Sequence, residues 1–405
     1  MTERVLIIGG GHAAGQCAAS LRQKGWAGEI VIAGEESYLP YQRPPLSKAY
    51  LAGAMTAERL AFKPGAFYEK ENIILKPGWK ATEIDRASKQ VVFENASSID
   101  YDFLVLATGA RVRELECAGI DLKGIGYLRS IEDTDNLKKN FREGAALIVV
   151  GAGYIGLEVA AVAVKHGLKV TVLEIGERVM ARVTSPTVSN YFAKLHRRHG
   201  VDLRLGVGVT GFEGDKHVNE VILSDGTRRV CDMAVVGVGV IPNDDLAREA
   251  GLETNDGVLV DEFTRTKDPS VFAVGDCTRH PSRYFGGLLR LESVHNALEQ
   301  GKTAASAICG NDVVYDQAPW FWSDQYDIKL QTVGICTGRY DEEVVRGDPD
   351  ADSFSVFYLK GEKLVAVDSV NAPTDHMIAR RLIGAGKSLK REEIENTQFD
   401  LKSCL

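Results

Sequence analysis

The chain reads as an α/β protein, built as two successive α/β units with a smaller α+β domain at the C-terminus. Three observations predict this. An apolar strand runs into a Gly-rich turn and a helix at Val5-Leu6-Ile7-Ile8-Gly9-Gly10-Gly11-His12-Ala13-Ala14. The same pattern returns at Leu147-Ile148-Val149-Val150-Gly151-Ala152-Gly153-Tyr154-Ile155-Gly156. Strand-like and helix-like segments alternate through most of the chain until about Trp320, where β alternation takes over and helical cues thin.

In order, residues 13–24 read as a helix ended by Gly25, and Glu29–Ala33 as the second strand. The stretch 36–50 is irregular, with Pro40, Pro44 and Pro45 breaking it. Residues 79–94 carry β patterning, and Phe103–Leu106 is a buried strand ending at Ala107-Thr108-Gly109. The second unit repeats the plan: Lys169–Leu173 is its second strand, and Met233–Val236 leads to Gly237-Val238-Gly239. The segment Ser270–Asp276 reads as a strand and turn, and 293–308 as a helix. The predicted boundaries are 1–110 with 244–318, then 111–243, then 319–405.

Bulk properties exclude several classes. A chain of 405 residues is too long for one core. With 44% apolar and 26% charged residues it fits a globular protein. A net charge of −8 argues against a general nucleic-acid binder. No apolar run reaches the ~18–20 residues that span a bilayer. The N-terminus leads straight into the first strand, which predicts no signal peptide, and the cysteine usage predicts a reducing cytoplasm, with mitochondria as the alternative. The seven cysteines are scattered, with no CxxC pair, so neither a disulfide framework nor a metal site is expected.

The two turns carry the chemistry of Rossmann-like dinucleotide-binding domains. In the first, Gly9 permits the tight turn, Gly11 lets the backbone approach a pyrophosphate, and small Ala14 allows helix and strand to pack. The helix N-terminus then faces the phosphates. Glu35 ends the next strand, where an acid accepts ribose hydroxyls; Glu36 is the neighbouring alternative. In the second turn Gly151, Gly153 and Gly156 are all glycine, and Glu174 ends the following strand. A carboxylate there suits a ribose 2′-OH and repels a 2′-phosphate, which favours NADH; Arg178 weakens that reading and Glu177 strengthens it. Glu174 as a surface acid pointing away is the alternative. Asp276, just past a strand, either accepts bonds from a polyol or caps a following helix.

These residues carry a family resemblance. Together with Pro44-Pro45-Leu46-Ser47-Lys48, Ala107-Thr108-Gly109, Gly153-Tyr154-Ile155-Gly156-Leu157-Glu158, Val274-Gly275-Asp276-Cys277 and Pro319-Trp320-Phe321-Trp322-Ser323-Asp324-Gln325-Tyr326, the chain resembles the FAD-dependent, NADH-dependent ferredoxin reductases of the glutathione-reductase structural type. The resemblance implies FAD in the first unit and NADH in the second. It places Ala13, Glu35, Ala81, Thr108, Gly109, Arg129, Asp276 and Val294 on the FAD, with Lys48 near the flavin ring. Tyr154, Ile155 and Gly239 are further cofactor-binding positions, and Glu158 falls near the nicotinamide, where it could pair with Lys48. Relatives that pass electrons through protein thiols carry cysteine in the loop after the first unit's second strand; this chain has none between Cys17 and Cys117.

The implied activity is hydride transfer from NADH to FAD, then single electrons to a [2Fe–2S] ferredoxin that feeds an oxygenase such as a haem-thiolate monooxygenase. The basic stretch His376–Arg391 would meet an acidic ferredoxin. Arg380 and Arg381 lie within it, and Lys63, Arg290 and Lys302 are further docking candidates. The tryptophans Trp320 and Trp322 either line the flavin entrance or pack in the core. The alternatives are an NADH-dependent reductase of a small radical or of oxygen, and a redox-signalling flavoprotein.

Overall fold

A computed structural model describes residues 3–405. Two compact units emerge among the described residues: 3–43, 58–111 and 241–319 form the first, and 44–57, 112–240 and 320–405 the second. The Pro-rich segment Pro44–Ala57 thus groups with the second unit, although the chain around it belongs to the first.

The first unit is built on a five-stranded parallel sheet in the order Val271–Ala273, Phe103–Leu106, Arg4–Ile8, Glu29–Gly34, Ile73–Pro77. Both faces of the central strand are buried, and its side chains divide between them at every second residue. Val5 and Ile7 join a core with Ala14, Cys17 and Leu21 of the helix His12–Gln23 and Ala304 and Ala305 of the helix Val294–Ile308. Leu6 and Ile8 instead join Ile84, Val91 and Phe93, from the antiparallel sheet of Ala81–Asp85, Gln90–Phe93 and Ser98–Asp100. The strand order reverses on either side of Arg4–Ile8. That opens a crevice at the carboxyl edge of the sheet, where such folds hold ligands.

The second unit repeats this arrangement with Asp202–Leu205, Lys169–Glu174, Ala146–Val150, Met233–Val236 and Ile125–Gly126. The helix Tyr154–Lys165 packs on this parallel sheet. An antiparallel sheet of Val209–Gly214, Val218–Leu223 and Arg228–Val230 contributes Phe212 and Val221 to a core with Ile148 and Val150. The same unit holds a five-stranded antiparallel sheet, ordered Trp320–Gln325, Ile328–Gly334, Lys363–Val370, Ser353–Lys360, Glu342–Asp348. The helix Pro373–Ala385 packs on it, with Pro at its first turn and Gly386 in a left-handed conformation (φ 66°) at its end. Among the described residues no helix is long and apolar enough to cross a membrane.

Candidate functional site

In the first unit, three strand ends meet at the carboxyl edge of the parallel sheet. Gly9 has φ 129°, and a Cβ there would lie 2.1 Å from the Ala107 carbonyl oxygen, so only glycine fits. At Gly10 and Gly11, by contrast, an added Cβ would meet nothing within 4 Å. Gly11 is also the N-cap of His12–Gln23 and offers no capping side chain, whereas Ser130, Ser185 and Ser293 cap the helices they precede. A tight turn that is closed behind, open in front and without a capping side chain fits a pyrophosphate at the helix N-terminus.

Further groups lie in the same unit. The Thr108 hydroxyl donates to the Asn243 carbonyl at 2.6 Å, and the Asn243 amide donates back to the Thr108 carbonyl at 2.9 Å, which clamps Ala107–Gly109. Gly275 has its Cβ direction 3.2 Å from the Ala13 methyl, and its N–H donates to buried Gln300 at 2.7 Å. That fixes the turn carrying Asp276. No helix follows Asp276; the chain enters the strand Thr278–Ser282, so the helix-cap alternative is set aside. Val294 is the first helical residue after Ser293, which caps Asn296 at 3.1 Å, so the Val294 N–H lies outside the helix's own ladder. Ala81 opens its strand, partly buried. Glu35 is exposed and pairs with Lys80 at 3.0 Å, while Glu36 accepts from the Tyr41 hydroxyl and Arg43, each at 2.6 Å. Asn243 and Gln300 went unread in the sequence, because neither sits in a motif.

The second unit has the matching turn. Gly151 has φ 100°, a Cβ on it would lie 2.4 Å from the Gly237 carbonyl oxygen, and one on Gly153 would meet open space. At Gly156 a Cβ would come within 2.1 Å of the Gly151 carbonyl oxygen. Glu174 does not point away: it accepts from the Ala152 N–H at 2.7 Å and the Gly176 N–H at 2.8 Å. Tyr154 packs on Phe321 with ring centroids 4.6 Å apart, and burial pushes its phenol well up. Ile155 is exposed on the same turn. Gly239 (φ 115°) accepts from the Arg113 N–H at 2.9 Å.

Also in the second unit, Lys48 pairs with Glu158 at 2.6 Å; the carboxylate is only 3% exposed. Pro44–Ser47 forms a short 3₁₀ turn against the helix Tyr154–Lys165 and sets the lysine over that acid. Ser47 donates to the same Glu158 oxygen as Lys48, and Ser323 donates to the other at 2.6 Å. Arg129 lies in this unit too, its N–H donating to Asp133 at 2.9 Å ahead of the helix Ile131–Lys138. The residues implied for one cofactor therefore divide, with Lys48 and Arg129 in the second unit and the others in the first.

The basic residues are less uniform than the sequence suggested. The stretch His376–Arg391 is no single helix face, since the helix ends at Ala385. Within it, Lys387 donates to the Leu405 carbonyl and Arg391 pairs with Glu342 and Glu395. Arg380 lies over the Trp320 ring at 4.6 Å, and Arg381 is exposed. Trp320 and Trp322 are both partly exposed, with centroids 5.6 Å apart. Lys63 lies over Phe62 and Phe67, and Lys302 pairs with Glu299 at 2.6 Å. Arg290 is held between Glu292 (2.6 Å) and Asp256 (3.2 Å) and is only 16% exposed, which suits it poorly to docking. All seven cysteines are free thiols, and burial pushes Cys17, Cys231 and Cys336 up to about 12, so these are inert.

Residues 3–301 match the family described as pyridine nucleotide-disulphide oxidoreductase, and residues 320–405 match the family described as reductase C-terminal. Rhodocoxin reductase from Rhodococcus erythropolis is 43% identical over 402 residues, covering 99% of this chain and 94% of that protein. Among solved structures, the ferredoxin reductase for the CYP199A2 system from Rhodopseudomonas palustris superposes with a TM-score of 0.96 at 42% identity, covering 99% of both chains. The reductase in the covalent putidaredoxin reductase–putidaredoxin complex gives 0.96 at 41% identity, covering 99% of this chain and 98% of that one.

Proposed function

The chain belongs to the pyridine nucleotide-disulphide oxidoreductase family, and from that premise we propose that it is an FAD-dependent NADH:ferredoxin reductase, passing single electrons to a [2Fe–2S] ferredoxin that feeds an oxygenase. The observation that carries this is the pair of built dinucleotide turns in one chain, the second with its acid already aimed at the turn. The full-length likeness to a reductase captured with its redox partner supports the acceptor.

Segments 1–110 and 244–318 hold FAD, 111–243 hold NADH, and 319–405 form the third domain. Gly9, Gly11, Ala13, Ala14 and the head of the first helix receive the FAD pyrophosphate. Asp276 would accept from the ribityl chain, Ala81, Thr108 and Gly109 would contact the FAD, as would Arg129, and the Val294 N–H would be a donor toward the flavin. FAD supplies the conversion of a hydride donor into one-electron steps. Glu174 selects NADH through the ribose hydroxyls. Lys48 would supply positive charge beside the bound flavin, and Glu158 fixes that lysine. Arg380 and Arg381 offer charge to an acidic partner, aided by Lys63 and Lys302. The free thiols support work in the cytoplasm.

The test is anaerobic stopped-flow reduction of the flavin by NADH and by NADPH, followed by mixing with a [2Fe–2S] ferredoxin. Fast bleaching with NADH alone, then ferredoxin reduction that slows as salt rises, is expected. Bleaching without transfer to any ferredoxin would remove the acceptor and leave the cofactors.

A further inference from the structure

The segment Trp320–Gln325 carries more than its tryptophans. Ser323 and Gln325 are two apart on that strand, point to one face and are completely buried. Ser323 donates to Glu158 at 2.6 Å, and the Gln325 amide nitrogen reaches the Ser323 hydroxyl at 3.2 Å. The Gln325 oxygen meets His196 Nε2 at 2.8 Å, and the Tyr326 hydroxyl meets His196 Nδ1 at 3.1 Å. His196 lies on the helix Pro186–Arg198 and is fully buried.

The direction of every bond follows from the acid. A carboxylate paired with Lys48 can only accept, so Ser323 must donate to it. Ser323 then accepts from the Gln325 NH₂, which turns the Gln325 oxygen toward His196. His196 must therefore carry its proton on Nε2 and accept from Tyr326 on Nδ1. Burial pushes His196 down to about 4, which keeps the ring neutral and able to do both. Tyr326 itself sits in the left-handed region (φ 60°), which a non-glycine residue rarely adopts. Its ring stacks on His199 with centroids 3.7 Å apart, and its carbonyl accepts from Lys165 at 3.0 Å. The Gln325 amide donates through nitrogen and accepts through oxygen. The series therefore cannot hand a proton along; it can only orient.

We infer that Ser323, Gln325 and His196 are positioning residues for the Glu158–Lys48 pair: a one-way series of donors, begun by Tyr326, that fixes the carboxylate and, through it, the lysine ammonium. The inference rests on the proposal that this pair borders the flavin and nicotinamide. It accounts for the Ser, Gln and Tyr of the Trp320–Tyr326 motif, which the tryptophans leave unexplained.

The experiment compares Ser323→Ala, Ser323→Thr and Gln325→Met with Lys48→Met in the flavin-loaded protein. Ser323→Ala and Gln325→Met should keep their flavin and slow its reduction at saturating NADH roughly 10-fold, the scale of one lost hydrogen bond to a charged group. NADH affinity should stay within about twofold, since the loss falls on positioning rather than binding. Ser323→Thr should restore the rate. The flavin midpoint potential should fall in the same direction as in Lys48→Met, by less. ¹⁵N NMR should find His196 as the Nε2–H tautomer, with that preference lost in Gln325→Met. If Lys48→Met changes rate and potential while Ser323→Ala and Gln325→Met change neither, the inference is overturned and the proposed function stands. If Lys48→Met changes neither, the placement of the pair fails, and the inference with it.

Discussion

At Gly9 and at Gly151 the backbone makes the same left-handed turn under the carbonyl of a neighbouring strand end, and two residues on, Gly11 and Gly153 both face open space. Beyond that the two turns part. The first helix accepts the Ala14 methyl, whereas at Gly156 any Cβ would strike the turn itself. The first helix is also gripped from behind. A Cβ on Gly301, in the helix Val294–Ile308, would lie 2.9 Å from the Ala13 carbonyl oxygen, and one on Gly15 would strike the Phe62 ring at 2.6 Å. The acids differ the other way. Glu174 is clamped to its own turn by two N–H groups, whereas Glu35 stands 67% exposed beside Lys80. Both helices are packed from outside, but the first turn leaves its acid to solvent, whereas the second is also ordered by its own acid. Under the proposed function, that is the contrast expected between a nucleotide kept through every cycle and one that must leave.

The largest effects should come from the turns themselves. Gly9→Ala and Gly151→Ala each force a left-handed backbone and a backbone clash. Gly9→Ala should purify with little flavin or fail to fold. Gly151→Ala should keep its flavin and lose NADH-driven reduction at fixed NADH by roughly 100-fold or more. Flavin absorbance per chain and anaerobic NADH titration separate the two. Loss of flavin in both would erase the division of labour.

Next in size is the Lys48–Glu158 pair. Removing one partner leaves a buried charge uncompensated, at a cost of about 3–5 kcal/mol. Lys48→Met and Glu158→Gln should each lower Tm, and the double variant should lose less than the sum of the two. Additive losses would mean the pair is not coupled.

Much of the first turn was legible because its signals are local: strand, glycine spacing, helix. The second unit's acid was legible for the same reason. What escaped depends on partners far apart in sequence. Ser47 and Ser323 reach Glu158 across 111 and 165 residues, and Asn243 clamps Thr108 across 135. The segment Pro44–Ala57 joins the second unit through contacts that periodicity does not encode. The basic run His376–Arg391 looked continuous because Glu342, which takes up Arg391, lies far upstream, and because Gly386 stops the helix midway.

A pH series sharpens the contrast further. Burial pushes His280 in the first unit, and His196 and His376 in the second, down from 6.5 to about 4. Between those values the unfolded chain binds protons that the native one does not, so stability falls as pH falls through this window and levels off below it. Asp368 opposes this in the second unit alone. Burial raises it to about 7, so the native chain keeps a proton there that the unfolded chain loses above ~3.9. Its stabilising contribution is present at low pH and is lost as pH rises through 7. Asp368→Asn should therefore steepen the fall of stability between pH 7 and 4, by at most roughly 1.4 kcal/mol per pH unit. Tm measured across that range in both proteins checks it, and coincident slopes would contradict a protonated Asp368.

The smallest effects test the two acids directly. Glu174→Gln keeps one acceptor oxygen but loses the charge and one of the two N–H bonds that order the turn. NADH affinity should fall by about 10-fold, the scale of a charged hydrogen bond, and discrimination against NADPH should fall with it as repulsion of the 2′-phosphate is removed. Glu35→Gln loses an exposed pair with Lys80, worth at most ~1 kcal/mol. Flavin should remain bound, with its dissociation constant raised no more than about fivefold, because the packed strand ends and the two neighbouring helices hold that site. NADH and NADPH affinities, and flavin release measured by dialysis, put the two substitutions on one scale. If Glu35→Gln released flavin as readily as Glu174→Gln weakened NADH, the first turn would depend on its acid as much as the second does. The packing behind it would then have no bearing on retention.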